Sequence, residues 1–283
     1  MEGAKENNGH IFYPLIDGHV HIYNCYDVPR LLESSFHNFK KGAQDLGLYQ
    51  DYIGILLLCE SNNYDWFEKH ACGGISTAGN GENVWSLQYI NDISGALVAT
   101  SCHRKILILP GRQIRTREGL EVLALITAQK FDDGLPLEKL IDRIHVAGAI
   151  PVIPWAVGKW LGRRGRILEN FLQRSSEFQG VYYLGDNGGR PEFWRNPRHF
   201  ALAREHNINI LPGSDPLPLP WDAARTGSFG FALRKTISLE RPASDLYELL
   251  RNGHPEIRYF GCLENTARFM RNQMALRFRG GDG

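Results

Sequence analysis

Along the chain, short apolar runs alternate with amphipathic segments, and this rhythm predicts β and α elements in turn. The run IFYPLIDGHVHIY stays apolar until Asp17, as a strand buried on both faces does where it leaves its sheet. Leu31, Leu32, Phe36 and Phe39 then recur near the helical period behind Asp27 as cap and Pro29 in the first turn. A second buried strand, YIGILLLCE, ends at Glu60, and the Asn- and Gly-rich stretch 61–83 reads as a long loop that serves a site. Three β-like runs follow (ALVATSC, KILILPGRQI, LEVLALIT), separated by short polar breaks that predict antiparallel or irregular pairing.

The alternation then becomes regular. Leu137, Leu140, Ile141 and Ile144 mark a helix opened by Pro136, AIPVIPW a strand, Ile167, Phe171 and Leu172 a helix, and VYYLGD a strand. Asn196-Pro197 opens a helix through about Arg204, INILPGSD is the next strand and FGFALRKTI a last one. Helices close the chain at Asp245–Leu250 and Glu264–Leu276. The predicted fold is α/β, a distorted (β/α)7-8 TIM-like barrel in a single domain over 1–283. Residues 1–10 are expected to be a flexible N-terminus and 237–283 a C-terminal helical extension packed on the barrel.

Composition narrows the partners. With 283 residues, 43% hydrophobic and 22% charged, the chain is an ordinary globular one, not a disordered or coiled-coil sequence. Lys plus Arg number 32 against 31 Asp plus Glu, a net charge of +1, which argues against nucleic acid or an anionic membrane as partner. The N-terminus lacks a signal peptide's apolar core and Ile53–Cys59 is far too short to cross a bilayer, so a cytoplasmic protein is expected. Five scattered cysteines without a Cys-x-x-Cys pair indicate reduced thiols rather than a disulfide framework.

The strongest chemical signal is Asp17-Gly18-His19-Val20-His21. Two imidazoles two residues apart on an extended chain project to the same side and can share one metal ion. Gly213-Ser214-Asp215 places a carboxylate at another strand end, where Asp215 could complete a metal site or act as general base. In GDNGGRP, backbone N–H groups could cradle an anion, Arg190 could fork onto a phosphate or carboxylate, and Asp186 could face the mouth. Arg112, Arg115, Lys159, Arg163 and Arg164 also follow strands and could receive an anionic substrate.

Together these motifs resemble the metal-dependent hydrolases of the PHP phosphoesterase and amidohydrolase type, which are built on (β/α) barrels. The family's Asp-x-His-x-His run is matched by Asp17, His19 and His21, and its Gly-Ser-Asp by Gly213, Ser214 and Asp215, in a patchy likeness from about residue 14 to 217. The chain departs from the pattern where Gln113 stands for a bridging Glu, Trp155 for a later His and Leu217 for the His after Gly-Ser-Asp. Cys59 and Glu60 occupy the second-strand motif. A full multinuclear site lacks its ligands; what remains is one divalent ion, zinc first and manganese or iron next, on His19, His21 and Asp215 with Glu60 or Asp186.

The resemblance implies a hydrolase that acts through metal-bound water on a small anionic substrate, a phosphoester or an amide, with Asp215, Asp17 and Arg190 as catalytic residues. The alternative is a degenerate barrel that binds a small ligand or a partner protein, another copy of the chain included.

Overall fold

The computed structural model describes residues 11–72, 76–77, 84–178 and 180–279. It begins with β1 (Ile11–Val20), α1 (Val28–Asp45), β2 (Tyr52–Leu58) and α2 (Trp66–Ala71). The middle is β-rich: β3 (Ser76–Thr77), β4 (Trp85–Ile90), β5 (Ala96–Ser101), β6 (Arg104–Leu109), β7 (Gly111–Arg115) and β8 (Glu121–Leu125). Then come α3 (Leu137–Val146), β9 (Ile150–Pro154), α4 (Gly162–Gln173), β10 (Tyr183–Asn187), α5 (Arg198–Glu205) and β11 (Ile210–Gly213). The chain closes with β12 (Gly230–Leu233), β13 (Ile237–Ser238), α6 (Pro242–Leu250), β14 (Ile257–Phe260) and α7 (Thr266–Arg279).

These strands do not form the expected TIM-like barrel. They make a nine-stranded sheet, ordered β14-β12-β1-β2-β6-β5-β4-β3 with β13 also on β1, and a separate five-stranded sheet, β11-β10-β9-β8-β7. Both are mixed: β1-β2-β6 and β9-β10-β11 run parallel, the other pairs antiparallel. The reason lies in the connections. Only Cys102 and His103 separate β5 from β6, and Cys102 takes a left-handed φ of 51°, so the chain folds back as a hairpin where a parallel crossover would need a dozen or more residues. The run KILILPGRQI, continuous in composition, is cut at Pro110: β6 belongs to the large sheet and β7 to the small one.

The sheets face each other. Alternate residues of β1 and β2 divide between two cores: Ile16, Ile55 and Leu57 join Leu123, Val152, Tyr183 and Leu211 of the small sheet in a shared interior. Leu15, Leu56 and Leu58 turn outward to pack with Leu31, Leu32 and Phe39 of α1. On the far side, α3, α4 and α5 cover the small sheet through Leu140, Ile144, Leu168, Phe171 and Phe200. Both faces of β1 and β2 are therefore covered, which explains why they read as unbroken apolar runs.

Local signals account for most helices. Asp27 caps α1 by accepting from the Arg30 N–H at 3.0 Å, with Pro29 in the first turn. Pro136 sits at the N-cap of α3 and Pro197 at that of α5. The segment from 237 contributes strands β13 and β14 besides α6 and α7, and residues 1–10 lie outside the described residues. Within the expected loop 61–83, residues 66–71 form α2 and most positions from 73 onward lie outside the described residues. No helix among the described residues is long and apolar enough to cross a membrane.

Candidate metal centre

The end of β1 carries His19, and His21 just beyond it, to the edge where the two sheets meet. Asp215 follows β11 there, and its N–H donates to the His19 carbonyl at 2.9 Å. Gly213 makes this approach feasible, since a Cβ on it would lie 2.2 Å from the His19 nitrogen. Asp215 itself has φ +43°, a left-handed conformation that Asp tolerates better than most residues.

Four side-chain atoms converge. Nε2 of His19 lies 3.0 Å from Nε2 of His21 and 3.0 Å from Oε1 of Gln113. Oδ1 of Asp215 is 3.6 Å from the first imidazole nitrogen and 3.4 Å from the second. One ring nitrogen cannot hydrogen-bond productively to three neighbours at once, and the set is rich in lone pairs and poor in protons. Ligands about 2.0–2.2 Å from a tetrahedral ion stand roughly 3.3–3.6 Å apart, close to these separations. His19, His21 and Asp215 thus form a group able to hold a metal ion.

Protonation agrees with that use. Burial lowers the His19 pKa to about 4, leaving the imidazole neutral at pH 7 with a lone pair to offer. Burial opposes the charge on Asp215, but His19 and His21 beside it hold the carboxyl well below the ordinary carboxylate range. Nδ1 of His19 is buried without a hydrogen-bond partner among the described residues. The other oxygen of Asp215 accepts from the Asn187 amide, which also donates to the Trp155 carbonyl at 3.3 Å and accepts from the Gly189 N–H at 2.6 Å.

The other residues singled out in the sequence lie around this group rather than in it. Both oxygens of Asp17 are taken by N–H groups of His19 (3.3 Å), Ser214 (2.7 Å) and Gly227 (2.7 Å) and by the Ser214 hydroxyl (2.5 Å). Asp17 therefore ties β1 to the loops after β11, and burial raises its pKa to about 6 against those bonds. Glu60 accepts from the N–H groups of Trp66 (2.5 Å) and Phe67 (3.3 Å) at the start of α2, with the Arg112 guanidinium 3.7 Å away. Asp186 and Arg190 face each other at 2.6 and 2.8 Å, and Arg190 also bonds the carbonyls of Trp194 and Arg195 at 2.6 and 2.8 Å. Their partners are thus each other and the loop leading to α5.

Trp155 is 1% exposed and packs edge-on against Trp194, so it offers no open indole face to the group. Arg112 is equally buried, bonded to the Ala128 and Tyr64 carbonyls. Arg163 is exposed and Arg164 bonds the Gly158 carbonyl at 3.0 Å. Two of the cations singled out in the sequence remain. Arg115 lies two residues beyond Gln113 on the same face of β7, and Lys159 pairs with Glu121, which faces Arg115 across the ladder. The Lys159 charge is felt by both His19 and Asp215, and burial and its arginine neighbours lower its pKa.

Asn187 escaped the sequence reading because strand alternation turns it to the opposite side of β10 from the more conspicuous Asp186. A further feature is a cavity of about 100 Å³ beside the group, lined by His21, Tyr23, Glu60, Ser61, Tyr64 and Gln113. Tyr23 and Tyr64 meet edge-to-face there with ring centres 6.0 Å apart.

No protein-family profile matches the sequence, and no curated protein matches it. Among solved structures, PsfC from Pseudomonas syringae PB-5123 superimposes with a TM-score of 0.53 at 15% identity, covering 96% of this chain and 100% of PsfC. The lesion-specific endonuclease PfuEndoQ from Pyrococcus furiosus gives a TM-score of 0.49 at 10% identity, covering 87% of this chain and 57% of the endonuclease. At such identities the likeness to PsfC is one of fold, shared over essentially the whole of both chains.

Proposed function

We propose that this protein is a metal-dependent hydrolase with one divalent ion on His19, His21 and Asp215, acting on a small anionic substrate. The observation that carries the reading is the convergence of the His21 imidazole nitrogen, the Gln113 amide oxygen and the Asp215 carboxylate oxygen at 3.0, 3.0 and 3.6 Å from Nε2 of His19. Two imidazoles and a carboxylate suit zinc, with manganese or iron next. When bound, such an ion supplies Lewis acidity for activating water and polarising the bond to be cleaved.

The chain's own residues do the rest. His19 offers a lone pair because burial keeps it neutral. Asp215 points one oxygen at both histidines while Asn187 donates to the other, which supports ligation over proton transfer. Arg115 and Lys159 supply positive charge on the small-sheet side for an anionic group. The cavity lined by Tyr23 and Tyr64, about 100 Å³, opens beside His21 for a small substrate group.

The test is metal content by mass spectrometry on the protein purified without added metal or chelator, followed by hydrolysis assays on phosphoesters and amides. About one ion per chain, lost in His19→Ala/His21→Ala together with turnover, is the expected result. Absence of bound metal even after incubation with excess zinc, manganese or iron overturns the reading.

A further inference from the structure

A second cavity lies between the starts of α4 and α5, with a volume of about 410 Å³, in the size range of small-molecule pockets. None of His19, His21, Gln113 or Asp215 lines it. Its aromatic lining is Trp155, Trp160 and Trp194, with the half-exposed Leu161 at the rim. Trp155 and Trp160 are 1% and 4% exposed, yet neither indole N–H has a hydrogen-bond partner among the described residues. Neither indole nitrogen is a buried orphan, so each keeps contact with solvent.

Two arginines and one glutamate line the cavity. Arg166 makes no ion pair among the described residues, and Arg198 reaches out from the first turn of α5. Neither α4, which starts at Gly162, nor α5 has a side-chain cap, so two positive helix ends open on the same rim. The opposing carboxylate, Glu169, is already engaged by Arg198 at 3.5 Å and His199 at 3.8 Å. Gly165 keeps α4 close to this wall: a Cβ there would lie 2.3 Å from the Trp160 carbonyl oxygen.

We propose that this cavity binds a small, flat organic anion, an aromatic carboxylate in the first instance, through its indoles and the Arg166 and Arg198 guanidinium groups. The tryptophan-lined wall, with Trp194 partly exposed, selects an apolar planar body, and the cations and helix ends select the negative charge. Hydrogen bonds link the cavity wall to the metal group: the Trp155 carbonyl accepts from the Asn187 amide, which also donates to Asp215.

The experiment is ¹⁹F NMR of 4-fluorobenzoate, 4-fluorobenzyl alcohol and 4-fluorobenzylamine titrated with the full chain. Saturable broadening for the benzoate alone is expected, weakened at least tenfold in Arg166→Gln/Arg198→Gln and abolished in Leu161→Trp, which blocks the mouth from an exposed position. Because a carboxylate could also settle on a metal ion, the titration is repeated on His19→Ala/His21→Ala, where binding should persist. Equal response to all three probes, no saturation, or loss of binding in the histidine variant each overturn the proposal.

Discussion

The Asn187 amide donates to the oxygen of Asp215 that faces away from the two histidines, leaving the other oxygen aimed at both. Removing such an outer partner usually costs 10–100-fold in metal affinity. Asn187→Ala is expected to weaken zinc binding by about that factor in a competition titration against a chromophoric chelator, while the far-UV circular dichroism spectrum stays native. An unchanged affinity would mean that the backbone alone orients Asp215.

Asp17 acts as a structural tie. Asparagine in its place keeps the shape but turns an NH2 towards N–H groups that need acceptors, so Asp17→Asn is expected to lower unfolding stability by about 2–4 kcal/mol in urea. A variant as stable as the parent but deficient in turnover would instead place Asp17 in the reaction.

His19 gives the metal-free protein a pH-dependent stability of defined sign. Its folded pKa of about 4 lies below the ordinary 6.5, so between those values the unfolded chain binds the extra proton. Stability is therefore full above about pH 6.5 and is lost as pH falls towards 4, by up to about 3 kcal/mol. Asp17, raised to about 6, works in the opposite sense over part of this range, so the measurement is a difference. Urea midpoints from pH 4.5 to 7 should fall more steeply with acid for the parent than for His19→Gln; parallel curves would refute the assignment.

Gly213 tests the contact between β1 and β11. Adding a methyl group 2.2 Å from the His19 nitrogen must displace backbone, so Gly213→Ala is expected to cost about 2–4 kcal/mol and to abolish ion uptake even at temperatures where the variant remains folded. Metal titration alongside thermal unfolding separates the two effects.

The sequence made His19, His21 and Asp215 legible because each sits where a strongly apolar strand ends, and strand ends are where a chain can present polar groups without burying them unpaired. The same logic found β1, α1, β2 and β9 to β11. It failed where the decisive information is pairing rather than periodicity. KILILPGRQI reads as one strand, yet Pro110 divides it between sheets. Strand β14, IRYF, lacks the apolar run of a central strand because it lies at the sheet edge with Arg258 and Tyr259 exposed. Asp186 and Arg190 carry the residue types of a site but satisfy each other, which only their 2.6 and 2.8 Å contacts reveal.

The two halves of the metal group come from different sheets: His19 and His21 extend from β1 in the large one, while Gln113, Asn187 and Asp215 belong to β7, β10 and the turn after β11 of the small one. An ion seated there would act as a rivet between the two sheets, and the free energy of loading it would include that of holding them together. Metal affinity then becomes a gauge of the whole interior. A cavity opened at Leu57 or Val152, in the core shared by both sheets, would loosen the rivet without touching any ligand.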